Sequence, residues 1–255
     1  MAASDMVTAA ICVIGNEILS GRTQDANIAF LAQNLNVIGI QVREVRVVPD
    51  IREEIVAGVN ALRARYDYVF TTGGIGPTHD DITAESVAAA FGVPAEYHPI
   101  AYAKMAEHYE RTGREFTDAR KRMSLMPQGA ELVEVGVVPA PGFRYENVFV
   151  FAGVPVIAQA MFESAKDRLR RGRTVLSRSI STDLVEGVLA APLKAIQDRF
   201  PDADIGSYPV YARDTGHRVS LVVRSPEEGD LVAAGDEIRA MILALGGVVG
   251  VDERL

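Results

Sequence analysis

The chain contains one cysteine and no tryptophan. A single thiol excludes a disulfide framework within the chain and a zinc site built from thiolates. Cys12 sits in the apolar run Ala9-Ala10-Ile11-Cys12-Val13-Ile14 and reads as a core strand residue. The four histidines, His79, His98, His108 and His217, show no His-x-x-x-His or other metal-ligand spacing. No run of roughly 18 consecutive apolar residues occurs, and Met1 to Thr8 lack a basic segment followed by a long apolar core. Neither a membrane span nor a secretory leader is expected, and a cytoplasmic location is. Positive charge is the minority: 26 Lys and Arg against 34 Asp and Glu give a net charge of -8, which works against a general affinity for nucleic acid.

What is present reads as a folded chain throughout. Hydrophobic residues make up 48% and charged residues 24%, with no polar low-complexity tract. The 255 residues suffice for a main domain of about 170 residues and a smaller one.

Strand and helix signals alternate from the start. Ala9 to Ile14 is a continuous apolar run ending at Gly15, as in a strand buried on both faces. Ile28, Leu31, Leu35 and Ile38 follow at helical spacing and stop at Gly39. Val42 to Val48 reads as a second strand, and Asp50 with Glu53 as a capping-box start for a helix whose buried stripe is Ile51, Ile55, Val59 and Leu62. Tyr68 to Thr72 is a third strand running into a glycine-rich segment, after which Thr83 is placed to cap a helix closed by Gly92. Such alternation implies βαβ units and a mostly parallel sheet, with ligands outside the carboxyl ends of the strands.

Tyr97 to Met126 reads as helical and polar, with a basic group at Arg111, Arg114, Arg120, Lys121 and Arg122. Val148 to Phe151 is a strand leading into Gly153-Val154-Pro155, and Pro155 suits the first turn of a helix reaching about Arg171. Lys166, Arg168, Arg170, Arg171 and Arg173 read as a solvated helix end rather than a phosphate site. The pattern restarts near Thr174, with strands at Val175 to Ile180, Ile205 to Val210 and Val219 to Arg224. Helices are expected near Leu184 to Phe200 and after Ser225-Pro226. The expected domains are therefore residues 1–172, an α/β fold, and 173–255, a small α+β domain.

The glycine-rich segment Thr71 to Thr83 carries the chemistry. It lacks Gly-x4-Gly-Lys-Ser/Thr, and no third glycine completes a dinucleotide fingerprint after Gly74-Ile75-Gly76. Arg52-Glu53-Glu54 is a fragment of a Nudix box without its later paired glutamates. Glycines let backbone amides approach an oxyanion, and a following helix N-terminus favours phosphate. Asp80 and Asp81 would repel a bound phosphate unless a hard divalent cation lay between them. The plainer alternative is a Gly-Pro turn with aspartates capping a helix. Gly15-Asn16-Glu17-Ile18-Leu19-Ser20-Gly21, trailed by Asp25 and Asn27, should emerge on the same sheet edge and form a second wall. Asn27 reads equally well as an ordinary residue at a helix start.

Four segments together resemble the N-terminal part of the CinA (competence/damage-inducible protein A) family, within the MoaB/Mog molybdopterin-binding superfamily. They are Gly15 to Asn27, Thr72 to Thr83, Pro139-Ala140-Pro141-Gly142-Phe143 and Ala152-Gly153-Val154-Pro155. The likeness covers about Ala9 to Arg170 and extends to the molybdopterin-binding-like domain of FAD synthases, while Gly206-Ser207-Tyr208-Pro209 resembles the small domain that follows. It implies a MoaB/Mog-like, mostly parallel sheet flanked by helices. Ile75 and Asp80 stand where Mog-type adenylyltransferases carry Thr and Arg, so the CinA branch is the nearer one. CinA-like members often carry Asp where this chain has Asn16, and Pro where it has Ala152.

The resemblance implies metal-dependent hydrolysis of ADP-ribose, or a related dinucleotide such as FAD, with Mg, Mn or Co as the divalent ion. Asp80, Asp81 and Glu17 would then be metal or water-positioning groups, with Asp80 and Asp81 on the metal, and Gly73, Gly74, Gly76 and Thr78 would line the phosphates. The remaining candidate ligand contacts are Gly15, Gly21, Asp25, Asn27, Thr72, Pro77, Thr83, Gly153 and Pro155. Two alternatives stay open: a module that binds a pterin or nucleotide phosphate without turnover, and molybdopterin adenylylation. Mog-type relatives also imply a homo-oligomer. The chain reaches Leu255 without the deamidase domain of full-length CinA proteins, so no nicotinamide-mononucleotide deamidation is expected.

Overall fold

The structure is a computed structural model describing residues 6–136, 140–210, 216 and 218–254. Pro139 of the Pro139 to Phe143 motif, and His217, lie outside the described residues. The chain divides into two compact units, Met1–Gly172 and Arg173–Leu255.

The first unit begins with β1 (Val7–Ile14), α1 (Asn16–Leu19), α2 (Asn27–Val37), β2 (Ile40–Val48), α3 (Arg52–Arg63), β3 (Tyr68–Thr72) and α4 (Thr83–Phe91). It continues with β4 (Ala95–Tyr97), α5 (Pro99–Arg111), α6 (Asp118–Arg122), β5 (Leu125–Pro127), β6 (Glu131–Val133), β7 (Gly142–Tyr145), β8 (Val148–Phe151) and α7 (Pro155–Ala165). Its sheet runs β2-β1-β3-β8-β7-β6. The neighbours β2, β1, β3 and β8 are parallel, while β7 and β6 add on antiparallel.

Alternation along β1 explains the layers. Ala9, Ile11 and Val13 face one core with Leu31 and Leu35 of α2 and Ala158 and Phe162 of α7. Ala10, Cys12 and Ile14 face the other with Ile55, Val59 and Leu62 of α3 and Val87 of α4. Because both faces are covered, β1 has no polar side and reads as an unbroken apolar run. Burial pushes the Cys12 thiol up to about 12, so it stays protonated at neutral pH as a packing residue.

Three local expectations are corrected. Asp50 does not cap α3, whose N-cap position is Ile51 with no side-chain bond; its carboxylate instead accepts the Asn16 N–H at 2.8 Å. Thr83 is the first residue of α4 rather than its cap. The stretch from Tyr97 to Met126 is not wholly helical, because Ala95–Tyr97 and Leu125–Pro127 pair as a short antiparallel ribbon around α5 and α6.

The second unit contains β9 (Leu176–Thr182), α8 (Glu186–Arg199), β10 (Asp204–Pro209), β11 (Val219–Ser225), α9 (Glu228–Ala244) and β12 (Val249–Arg254). These strands form an antiparallel sheet in the order β10-β11-β9-β12. Its core joins Ile180, Leu221 and Val223 to Leu189 and Ile196 of α8 and Ile238 and Ile242 of α9.

Candidate functional site

In a parallel sheet every strand ends on the same edge, so the segments that follow β1, β2, β3 and β8 gather there. They are Gly15 to Glu17, Asp50, Gly73 to Asp81, and Ala152 to Pro155. Glu17, Asp50, most of the glycine loop and Ala152 to Pro155 border a cleft of about 700 Å³, large enough for a dinucleotide-sized ligand.

The glycine loop is shaped from behind. Gly73 has φ +101, and a Cβ there would lie 2.1 Å from the Ile14 carbonyl oxygen; a Cβ on Gly74 would lie 2.1 Å from Thr83 Oγ1. A side chain at either place would push the loop off β1 and α4. Thr83 is buried, donates its hydroxyl to the Gly73 carbonyl at 2.9 Å and gives its N–H to the Gly74 carbonyl at 3.0 Å. With these carbonyls turned toward α4, the amides of Gly74, Ile75 and Gly76 have no protein acceptor among the described residues. A run of free amides beside a helix start suits a phosphate oxygen.

Not every amide of the segment is free. Gly73 N–H goes to the Phe151 carbonyl at 3.1 Å, and Asp81 N–H to the Thr78 carbonyl at 3.2 Å. Asp81 Oδ2 accepts the Thr78 N–H at 2.8 Å and also the Thr78 hydroxyl. One oxygen of Asp81 therefore holds the turn closed. Asp80, next in space, is held below the usual carboxylate range, chiefly by the Thr78 hydroxyl and its own backbone N–H. That hydroxyl has a single proton; its placement gives it to Asp81, with Asp80 as the second acceptor within reach. Asp80 is ionised at neutral pH.

Of the residues singled out in the sequence, Glu17, Gly73, Gly74, Gly76, Pro77, Thr78, Asp80, Asp81, Gly153 and Pro155 border the cleft. Gly15, Gly21, Asp25, Asn27, Thr72 and Thr83 do not. Several of these brace it. Asn27, 3% exposed, donates its side-chain amide to the Gly153 carbonyl at 2.9 Å, and Asp25 Oδ1 accepts the Ile28 N–H at 2.7 Å at the start of α2. Gly15 leaves room for the Glu17 carboxylate, which a Cβ would meet at 2.6 Å.

Asp50, Tyr109 and Met123 also line the cleft and escaped the sequence reading. Asp50 carried a signal, but for helix capping; Tyr109 and Met123 belong to a stretch far along the chain, with no local motif. Glu17, Asp50, Asp80 and Asp81 have no Lys or Arg ion-pair partner among the described residues. By contrast Lys166 pairs with Glu163, Arg168 with Glu131, Arg170 with Asp67 and Arg171 with Asp167. The helix α7 ends at Ala165 rather than near Arg171, so these cations follow it in a short 3-10 turn and an extended segment instead of forming its end. Among the described residues no group of three or more His, Cys, Asp or Glu is placed to hold a metal ion, and no helix is long and apolar enough to cross a membrane.

Comparison with known proteins agrees with this architecture. Residues 10–171 match the family described as "Probable molybdopterin binding domain", and residues 174–247 match "FAD synthase, middle domain". The crystal structure of the protein CinA, of unknown function, from Thermoplasma acidophilum is similar at 31% identity and a TM-score of 0.59, covering 65% of this chain and 99% of that one. A protein of Caldivirga maquilingensis is 31% identical over 91% of each chain. A protein of Pyrobaculum calidifontis is 38% identical over 66% of each chain, so that match spans slightly less than two thirds of the relative's length.

Proposed function

This chain belongs to the molybdopterin-binding domain family, and on that premise we propose that its cleft binds a phosphorylated nucleotide-like molecule and hydrolyses the pyrophosphate of ADP-ribose or a related dinucleotide with a divalent metal ion. One observation carries the reading: free amides at Gly74 to Gly76 and unpaired carboxylates at Glu17, Asp50, Asp80 and Asp81 border the same cleft. Phosphate binding accounts for the amides. It does not account for acidic side chains, which would repel the ligand unless a cation or a reacting water stood between.

The donor set fits a hard cation such as Mg, Mn or Co. Asp80 and the second oxygen of Asp81 would hold such an ion, which does not require an all-protein cage because substrate phosphate and water can serve it as well. Once bound, such an ion neutralises charge developing on the phosphoryl oxygens. The amides of Gly74 to Gly76 fix the phosphate, and the Asp81 bonds to Thr78 keep those amides in register. Glu17 faces the cleft from the β1 edge as the group suited to orient an attacking water.

The Asp81 bonds to Thr78, and the absence of a three-residue ligand group among the described residues, favour a second reading in which the cleft holds a pterin or nucleotide phosphate without turnover. Incubation with ADP-ribose, FAD and NAD in Mg, Mn and Co separates the two. The enzyme should release AMP from at least one of them, and Asp80→Asn should lower that rate by about 10²-fold or more while the melting temperature stays put. Tight binding without product release from any of the three would leave the binding reading standing alone.

A further inference from the structure

The sheet edge supplies most of the cleft, but Tyr109 reaches it from the last turn of α5, in an aromatic cluster that the proposed hydrolysis does not use. Tyr97 meets Tyr102 at 5.8 Å between ring centroids, Tyr102 meets Phe116 at 5.1 Å, and Phe116 stacks on Tyr109 at 5.4 Å with an interplanar angle of 18°. The Arg120 guanidinium lies over the Tyr109 ring, 4.6 Å from its centroid. The backbone is tied down as well, because the Tyr109 carbonyl accepts the Arg114 N–H at 3.0 Å and the Thr112 hydroxyl at 3.2 Å. Tyr109 is 8% exposed, yet its hydroxyl has no hydrogen-bond partner among the described residues and is not among the sealed, unpartnered polar atoms. Tyr109 borders the cleft with its ring held by Phe116 and Arg120, and its hydroxyl, used by no protein group among the described residues, is a donor available to whatever fills that cleft.

We propose that Tyr109 is a ligand-recognition residue whose hydroxyl donates a hydrogen bond to an anionic phosphate oxygen of a nucleoside phosphate held by the glycine loop. Three features favour an anionic acceptor. The free amides of Gly74 to Gly76 already select phosphate in this cleft. The Arg120 cation over the ring draws electron density from the phenol and strengthens it as a donor. A hydrogen bond from a preorganised donor to a charged acceptor is about twice as strong as one between neutral groups, so it discriminates phosphate from a neutral oxygen. The role rests on the phosphate-binding reading of the cleft but not on turnover.

The test is direct binding of AMP, ribose 5-phosphate and adenosine, followed by calorimetry on wild-type protein and on Tyr109→Phe and Tyr109→Leu. Tyr109→Phe keeps the ring stack, so its melting temperature should match wild type while affinity for AMP and ribose 5-phosphate falls about tenfold or more. Adenosine affinity should not change. A purely structural Tyr109 predicts the reverse, with Phe silent in all three titrations and Leu destabilised, and that result would overturn the proposal. Equal losses for adenosine and AMP would also overturn it, because the acceptor would then lie on the nucleoside. If wild-type protein binds AMP but hydrolyses no dinucleotide, turnover fails and Tyr109 stands; if ADP-ribose is hydrolysed with an unchanged KM in Tyr109→Phe, the reverse holds. Wild-type protein that binds none of the three ligands would overturn both.

Discussion

The cleft of the first unit and the buried network of the second treat charged residues in opposite ways. In the second, Arg178 is 7% exposed, and its guanidinium makes a fork with Asp252 at 2.8 and 2.9 Å and a further bond to Asp236 at 3.0 Å. Arg239 closes the network on Asp252 at 2.9 Å. In the first, Glu17, Asp50, Asp80 and Asp81 border open space without a cationic partner among the described residues. Connectivity explains the contrast. Antiparallel neighbours bring β9 and β12 side by side, so charges on their side chains meet within the fold. Parallel strands all release their chain at one edge, where the loops brace one another, as Asp50 does with the Asn16 N–H, and leave carboxylates bordering open space. In the second unit the paired charges join neighbouring elements, and at the cleft of the first the carboxylates have no cationic partner among the described residues.

The sharpest way to break that contrast is to remove the paired cation. Arg178→Ala leaves Asp252, only 16% exposed, without its fork and should destabilise the second unit by about 3–5 kcal/mol. Hydrogen exchange resolved along the chain should show lost protection in β9, β12 and α9. Unchanged protection there would mean that the network is ornamental.

A somewhat smaller effect is expected from the first unit's loop. Gly73→Ala places a methyl against the Ile14 carbonyl at a backbone conformation that disfavours it, at a cost of about 3 kcal/mol. The loss should appear with weakened AMP binding, since the loop that presents the amides must move. A Gly73→Ala protein with wild-type affinity and melting temperature would show that the loop tolerates displacement and that its glycine is not required.

The smallest expected effect comes from pH. The Arg178 guanidinium holds the Asp252 carboxyl down to about 2, below its ordinary 3.8. A depressed carboxyl stabilises the folded state fully above the ordinary value and loses that contribution as pH falls through the folded one. The second unit should therefore lose up to about 2 kcal/mol between roughly pH 4 and pH 2. Denaturant midpoints of wild type and Asp252→Asn should differ at pH 7 and converge toward pH 2. A gap that persists at acid pH would assign the stability to packing instead.

Much of the cleft was legible because its signals are local. Tyr68 to Thr72 followed by Gly73, Gly74 and Gly76 announces a strand, a turn open to an anion and a helix, all within one stretch. Glu17 was legible for the same reason, one turn after β1. The roles of Thr83 and Asp50 were not: each carries a helix-capping signal, and only packing turns Thr83 back onto the Gly73 carbonyl and Asp50 across to the Asn16 amide. The β4 and β5 ribbon escaped as well, because its strands are three residues long and too short to show a period.

The sequence by itself determined the alternation of strands and helices, the buried character of β1, and the glycine-and-aspartate loop with its likeness to CinA proteins. These follow from the spacing of apolar residues and from short motifs, which act over a few positions. Tertiary structure alone decided which oxygens are left over. Asp81 gives one oxygen to the Thr78 turn while Asp80 stays ionised at the cleft, Asn27 and Thr83 brace the walls instead of lining them, and Tyr109 reaches the cleft from a helix distant in sequence. The physical reason is that a hydrogen bond or a stack is settled by three-dimensional reach, and partners 10 and 126 residues apart along the chain leave no period for a sequence to display.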